Sequence, residues 1–183
     1  MEKIRISKIL SEKGLCSRRE ADKFIELGQV LLDGKTVLEL GAKAFRSQKI
    51  ELKDKAKKTQ LSKATIILHK PIGYISHLDD DKEFTPAASL ITPDKYFKQS
   101  EDNRNPIFRS DGLAPAGRLD IDSSGLLVLT QDGRVAKQII GENVVVEKEY
   151  LVRVEGNLSD NNLKLLNHGL SCLLYTSPSP RDS

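Results

Sequence analysis

The run Gly125-Leu126-Leu127-Val128-Leu129-Thr130 constrains the fold of this chain more than any other feature. A short, uninterrupted apolar stretch closed by the turn pair Asp132-Gly133 reads as a buried strand. Two more strands are expected, at Thr65–His69, where Pro71 and Gly73 break the pattern, and at Lys148–Glu155, where apolar and polar residues alternate. Helical spacing appears at Val135–Ile140 and at Ser159–Leu166, the latter with Ser159 as its N-cap. Residues 79–112 are weakly patterned. They hold the run Asp79–Asp81, Pro86, Pro93 and the polar stretch QSEDNRNP. A long surface loop with one short helix is expected there, with the aspartates solvated.

The first part of the chain has its own logic. Ile6, Ile9 and Leu10 fall at helical spacing ahead of Gly14, a C-cap candidate. Ser17-Arg18-Arg19-Glu20 matches a capping box, in which the serine hydroxyl accepts from the N3 amide and the glutamate returns to the N-cap amide. Ala21, Phe24 and Ile25 form the apolar stripe of that second helix, and Gly28 ends it. Val30–Leu32, the turn pair Asp33-Gly34 and Lys35–Val37 read as a hairpin, and residues 49–53 as a further strand. The lysine-rich residues 54–64 read as a linker. Arg18 and Arg19 would stand in the first turn of a helix beside free backbone amides, a place suited to phosphate. Lys13, Ser17, Lys23 and Lys35 complete the candidate RNA-binding set. The pattern Leu10, Gly14, Cys16 to Ala21, Ile25, Gly28, Val30, Asp33-Gly34 and Val37 resembles the S4-type RNA-binding domain (the alpha-L motif) over about residues 4–52.

Charge agrees with an anionic partner at this end. Residues 1–63 carry 16 Lys and Arg against 9 Asp and Glu, a net of +7; the rest carry 13 against 17, a net of −4. Several classes drop out. Cys16 and Cys172 have neither disulfide-framework nor metal spacing. No apolar run approaches the ~18 residues of a membrane span, and MEKIRISKIL lacks a signal-peptide core. A cytoplasmic protein is expected, with a monomer as the default. Asp33-Gly34-Lys35-Thr36 looks like the end of a phosphate-binding loop, but Gln29 stands where that motif needs glycine. His69, His77 and His168 are scattered.

The chemistry points to Ala116-Gly117-Arg118-Leu119-Asp120-Ile121-Asp122, just ahead of the apolar run. A carboxylate at a loop edge beside an arginine can be held rigid and ionised. Equally, Arg118 and Asp120 could form a structural pair. The residues GRLD, a polar turn and GLLVLT, with Lys70-Pro71-Ile72-Gly73 before them and Lys148-Glu149-Tyr150 after, resemble the RsuA-type ribosomal RNA pseudouridine synthase family. The resemblance implies an α+β protein: an S4-like domain over 1–53, a linker over 54–64, and a mixed, mainly antiparallel synthase domain over 65–171. It also implies a bacterial source, and that uridine in ribosomal RNA, leaning to the large subunit, is isomerised without cofactor or metal. Asp120 would attack the flipped-out uridine or stabilise its sugar cation. Tyr150 would lie against the uracil, and Arg118 would contact the flipped nucleotide's backbone or its vacated stack. Asp122 is expected to cap a turn. The family's later strand, with a basic residue that pairs with the aspartate, has no match here, and Arg153 does not supply it.

Residues 172–182, CLLYTSPSPRD, match one reading frame through a transposase-based sequencing adapter residue for residue. The synthase domain is therefore expected to be truncated near Ser171, with 172–183 non-native and the isolated chain poorly soluble and weakly active. Sequencing the source locus beyond codon 171 tests this: a native frame through CLLYTSPSPRDS would refute it. Two other functions stand beside the enzyme. One is a non-catalytic RNA-binding or ribosome-associated protein. The other is a hydrolase using Asp120 and Asp122 side by side on a strand.

Overall fold

A computed structural model describes residues 2–77, 83–97, 111–141 and 144–169. The chain divides into two compact units, Met1–Gly141 and Glu142–Ser183. In the first unit, β1 (Ile4–Arg5) leads into α1 (Ile6–Glu12), which buries Ile6, Ile9 and Leu10. Helix α2 (Arg18–Glu26) starts as its sequence dictates. The Ser17 hydroxyl accepts from the Glu20 amide at 3.3 Å, and the Glu20 carboxylate accepts from the Ser17 amide at 2.7 Å. Both halves of the capping box are therefore made.

The hairpin also forms. β2 (Val30–Leu32) and β3 (Lys35–Val37) are joined by Asp33 and Gly34, with φ of +48° and +80°. Both central residues in the left-handed region make the tight turn that matches strand twist, which explains the Asp-Gly pair and leaves no phosphate loop. β4 (Lys43–Ala44) pairs with β1, and β5 (Ile50–Leu52) pairs with the other edge of β2. Ile6, Leu10, Phe24, Ile25 and Val30 lie in one core under these elements. Each such side chain contributes about 1.5–3 kcal/mol on burial.

Residues expected as a linker instead form α3 (Asp54–Leu61). Its buried stripe is only Ala56 and Gln60, four apart, with Ala56 joining the first core. So short a stripe of an alanine and a glutamine leaves no apolar periodicity to read, and packing decides the helix.

A second layer follows. β6 (Thr65–Lys70) and β7 (Ala114–Pro115) flank β8 (Gly125–Thr130), all antiparallel. The apolar run is thus the central strand of its sheet. Leu127 and Leu129 are buried in a core with Ala87, Ala88 and Leu113. The strand is not buried on both faces as expected: Leu126 is 69% exposed, because among the described residues no layer covers that side. The weakly patterned region holds 3₁₀ turns at Ala87–Leu90 and Pro93–Lys95. The Asp79–Asp81 run and all of QSEDNRNP lie outside the described residues, as does the segment 172–182. Helix α4 (Gly133–Ile140) completes the unit, with Asp132 as N-cap.

In the second unit α5 (Asp160–His168) forms with Ser159 as N-cap, its hydroxyl accepting from the Asn162 amide at 3.2 Å. The strand expected at Lys148–Glu155 does not form. Alternation makes a strand only where a neighbouring edge takes its N–H and C=O groups. Among the described residues none does, and Leu151 and Val152 stand exposed.

Candidate active site

The loop carrying Asp120 is built by β6 and β8, whose register runs from Thr65 opposite Thr130 to Lys70 opposite Gly125. At that second end Lys70 is fully buried beneath the loop. Its Nζ donates to the carbonyls of Ser123 at 2.8 Å, Pro71 at 3.0 Å and Ile121 at 3.5 Å. Burial is the largest influence on this ammonium and pushes its pKa down, while the charges of Asp120 and Asp122 oppose that shift. The buried Ser76 holds the same loop from another side. Its hydroxyl donates to the Leu119 carbonyl at 2.7 Å and accepts from the Leu119 amide at 2.9 Å. The Gly73 amide donates to Ile121 O at 2.8 Å, and the Ser123 amide to Asp120 O at 3.1 Å.

The backbone from 119 to 123 is therefore pinned, while the Asp120 side chain is exposed. Among the described residues it forms no ion pair, and Arg118, also exposed, does not bridge to it. The structural Arg–Asp pair is thus not made. Asp120 and Asp122 sit in a loop and turn rather than side by side on a strand, which removes the geometry the hydrolase reading needs. A rigid backbone presenting a free carboxylate suits a group that must meet a substrate without reorganising.

Tyr150 belongs to the second unit and is 57% exposed. Lys13, Arg18, Arg19, Lys23 and Lys35 are all exposed. Arg19 and Lys23 lie four apart on α2 and share a face. Ser17 differs from the rest of that set: it is only half-exposed, and its hydroxyl is engaged in the cap. Lys70 and Ser76 were not anticipated as parts of the site. The motif Lys70-Pro71-Ile72-Gly73 marks the first, whereas nothing in the sequence marks Ser76.

The opposite end of the sheet is also tied. The Thr65 and Thr130 hydroxyls lie 2.8 Å apart, and Thr130 Oγ1 accepts from the Asp132 amide at 3.0 Å. The buried Asp132 takes both Arg134 Nη2, at 2.6 Å, and Nε, at 2.9 Å. These Arg134 hydrogen bonds hold the Asp132 carboxyl below its ordinary 3.8. A depressed carboxylate pKa stabilises the fold above the unfolded value and loses that contribution as pH falls through the folded value. Stability should therefore decline below about pH 4, and Asp132→Asn should flatten that decline. Urea midpoints measured between pH 5 and pH 2.5 check this; parallel curves for the two proteins would contradict it.

Residues 64–172 match the family model for RNA pseudouridylate synthase, and residues 4–43 match that for the S4 domain. The chain belongs to the RNA pseudouridylate synthase family, with an N-terminal S4 domain. It is 33% identical over 163 residues to an uncharacterized RNA pseudouridine synthase of Aquifex aeolicus, covering 89% of this chain and 63% of that protein. It is 34% identical over 166 residues to ribosomal large subunit pseudouridine synthase B of Bacillus subtilis, covering 91% and 62%. The dual-specificity RNA pseudouridine synthase RluF of Escherichia coli is 30% identical over 172 residues, covering 93% and 53%. The chain thus spans between 53% and 63% of the length of these relatives. No described helix is long and apolar enough to cross a membrane.

Proposed function

We propose that this protein isomerises uridine to pseudouridine in ribosomal RNA, with Asp120 as the carboxylate that acts on a flipped-out uridine. The observation that carries the reading is the exposed Asp120 side chain on a backbone fixed by Lys70, Ser76 and Gly73. In the reaction the C1′–N1 bond breaks, the uracil turns, C1′–C5 forms, and the proton at C5 is lost while N1 gains one. Atoms and electrons balance without a redox partner. Extruding the base costs a few kcal/mol, least at an unpaired position. Arg118, beside Asp120 in sequence, would hold the nucleotide's phosphate or fill the vacated stack, and Tyr150 would lie against the uracil.

Lys13, Arg18, Arg19, Lys23 and Lys35 would hold structured RNA through its backbone and shape, a mode whose affinity falls steeply with salt. Large-subunit RNA is the favoured substrate, in keeping with the name of the Bacillus relative. Tritium release from ribosomal RNA labelled at uracil C5 tests the activity with the protein expressed from its complete gene. Release with retained radiolabel-free pseudouridine in the RNA supports isomerisation. Tight RNA binding with no release would make the protein a non-catalytic RNA-binding component instead.

A further inference from the structure

We infer that Lys63 and Arg134 are positioning residues, which lock the N-terminal module onto the end of the catalytic sheet opposite Asp120 and so set the register between bound RNA and the catalytic loop. The inference rests on the pseudouridine synthase reading for its catalytic part alone. Lys63, just ahead of β6, makes an ion pair with Glu20 of α2. Both side chains are largely withdrawn from solvent, 12% and 19% exposed, so this pair is not a screened surface contact. Arg134, already clamped by Asp132, donates from Nη1 to the Gly14 carbonyl at 3.3 Å. Between these two ties Gly133 meets Ser17: a Cβ at Gly133 would stand 2.6 Å from Ser17 Cβ and 3.0 Å from its Oγ. Glycine is required there by the approach of the two domains.

The layout gives these contacts a consequence for the site. Lys63 and Lys70 stand at opposite ends of β6, and Asp132 and the Asp120 loop at opposite ends of β8. The paired strands act as a strut of about 20 Å, six residues at roughly 3.3 Å each. Movement of the module at one end displaces bound RNA relative to Asp120 at the other. Motion is the default where few contacts cross between domains. Here an ion pair, a guanidinium–carbonyl bond and a close backbone approach all cross the same junction. Glu20 and Ser17 serve in it twice, as helix cap and as contact surface, which withdraws Ser17 from RNA and leaves that task to its exposed basic neighbours.

The test compares Lys63→Ala, Lys63→Arg, Arg134→Ala and Gly133→Phe in the protein expressed from its complete gene, with every cysteine other than Cys16 replaced by serine. Cys16 is buried beside the junction and serves as reporter. Opening the junction should raise its native-state labelling rate by a thiol reagent about tenfold or more in Lys63→Ala, Arg134→Ala and Gly133→Phe, with Lys63→Arg restoring protection. The kinetic counterpart is a fall in kcat on ribosomal RNA on the order of 10- to 100-fold, the scale of a misplaced reacting group. RNA affinity should stay unchanged, at a temperature where all variants remain folded. Unchanged labelling together with unchanged kcat would overturn the lock, as would Lys63→Arg behaving like Lys63→Ala. If the parent protein forms no pseudouridine, the catalytic reading fails, and the labelling arm alone decides whether the junction is closed.

Discussion

Asp120→Asn is expected to lower pseudouridine formation on the order of 10⁴-fold, the scale seen when a member of a catalytic unit is removed, while folding stability changes by less than about 0.5 kcal/mol. The two halves of that expectation come from the same geometry. The Asp120 side chain is exposed and has no ion pair among the described residues, so the native fold does not lean on it. What holds the loop is backbone: the Leu119 amide and carbonyl on Ser76, and the Ile121 and Ser123 carbonyls on Lys70. Asparagine keeps nearly the same shape and leaves all of these in place. The one electrostatic side effect falls on Lys70, whose charge loses the support of Asp120 and keeps that of Asp122. Tritium release and a urea titration on the same preparation check both halves. A variant retaining activity within tenfold would remove Asp120 from the chemistry. A large loss of stability would make any lost turnover a folding effect.

How much of this was legible in the residues depended on whether the determinant was local. The capping box at Ser17 and Glu20, the Asp33-Gly34 turn and the Ser159 cap each bond within three or four residues, and each forms as its sequence reads. The run from Gly125 to Thr130 is a strand because its composition allows little else, yet its open face at Leu126 depends on what covers it. Long-range requirements left weaker marks. The helix Asp54–Leu61 owes its place to Ala56 reaching a core built by residues far along the chain. The alternating segment Lys148–Glu155 shows the converse, a strand pattern with no ladder to join among the described residues. At the site, Asp120 stands out through its motif, but Ser76 reaches Leu119 across 43 positions and carries no local sign. The junction of Lys63, Glu20 and Arg134 was hidden for the same reason. Lys63 looks like one more lysine at the end of a basic stretch, and Asp132-Gly133 like a plain strand end.

The second large effect concerns Lys70, where the buried group rather than the exposed one bears the structure. Lys70→Met is expected to destabilise the protein by about 3 kcal/mol, because it leaves the carbonyls of Pro71 and Ser123 without this donor in a site closed to water, and that of Ile121 with the Gly73 amide alone. A buried ammonium is itself costly to desolvate, and burial does lower the Lys70 pKa. Removing it therefore relieves one penalty while creating another. The balance falls against the variant because methionine matches the lysine stem in length but can donate to none of the acceptors. Lys70→Arg keeps donors, but a larger planar head in a fully enclosed site should still cost about 1–3 kcal/mol through overpacking. Ser76→Ala frees only Leu119 and should cost about 1 kcal/mol. The expected order of urea midpoints is parent, Ser76→Ala, Lys70→Arg, Lys70→Met. Turnover should fall in Lys70→Met even where the protein is fully folded, since the loop that presents Asp120 loses its floor. If Lys70→Met proved as stable as the parent, the Pro71 and Ser123 carbonyls would have to find other donors, and the idea of a loop held from below would be wrong.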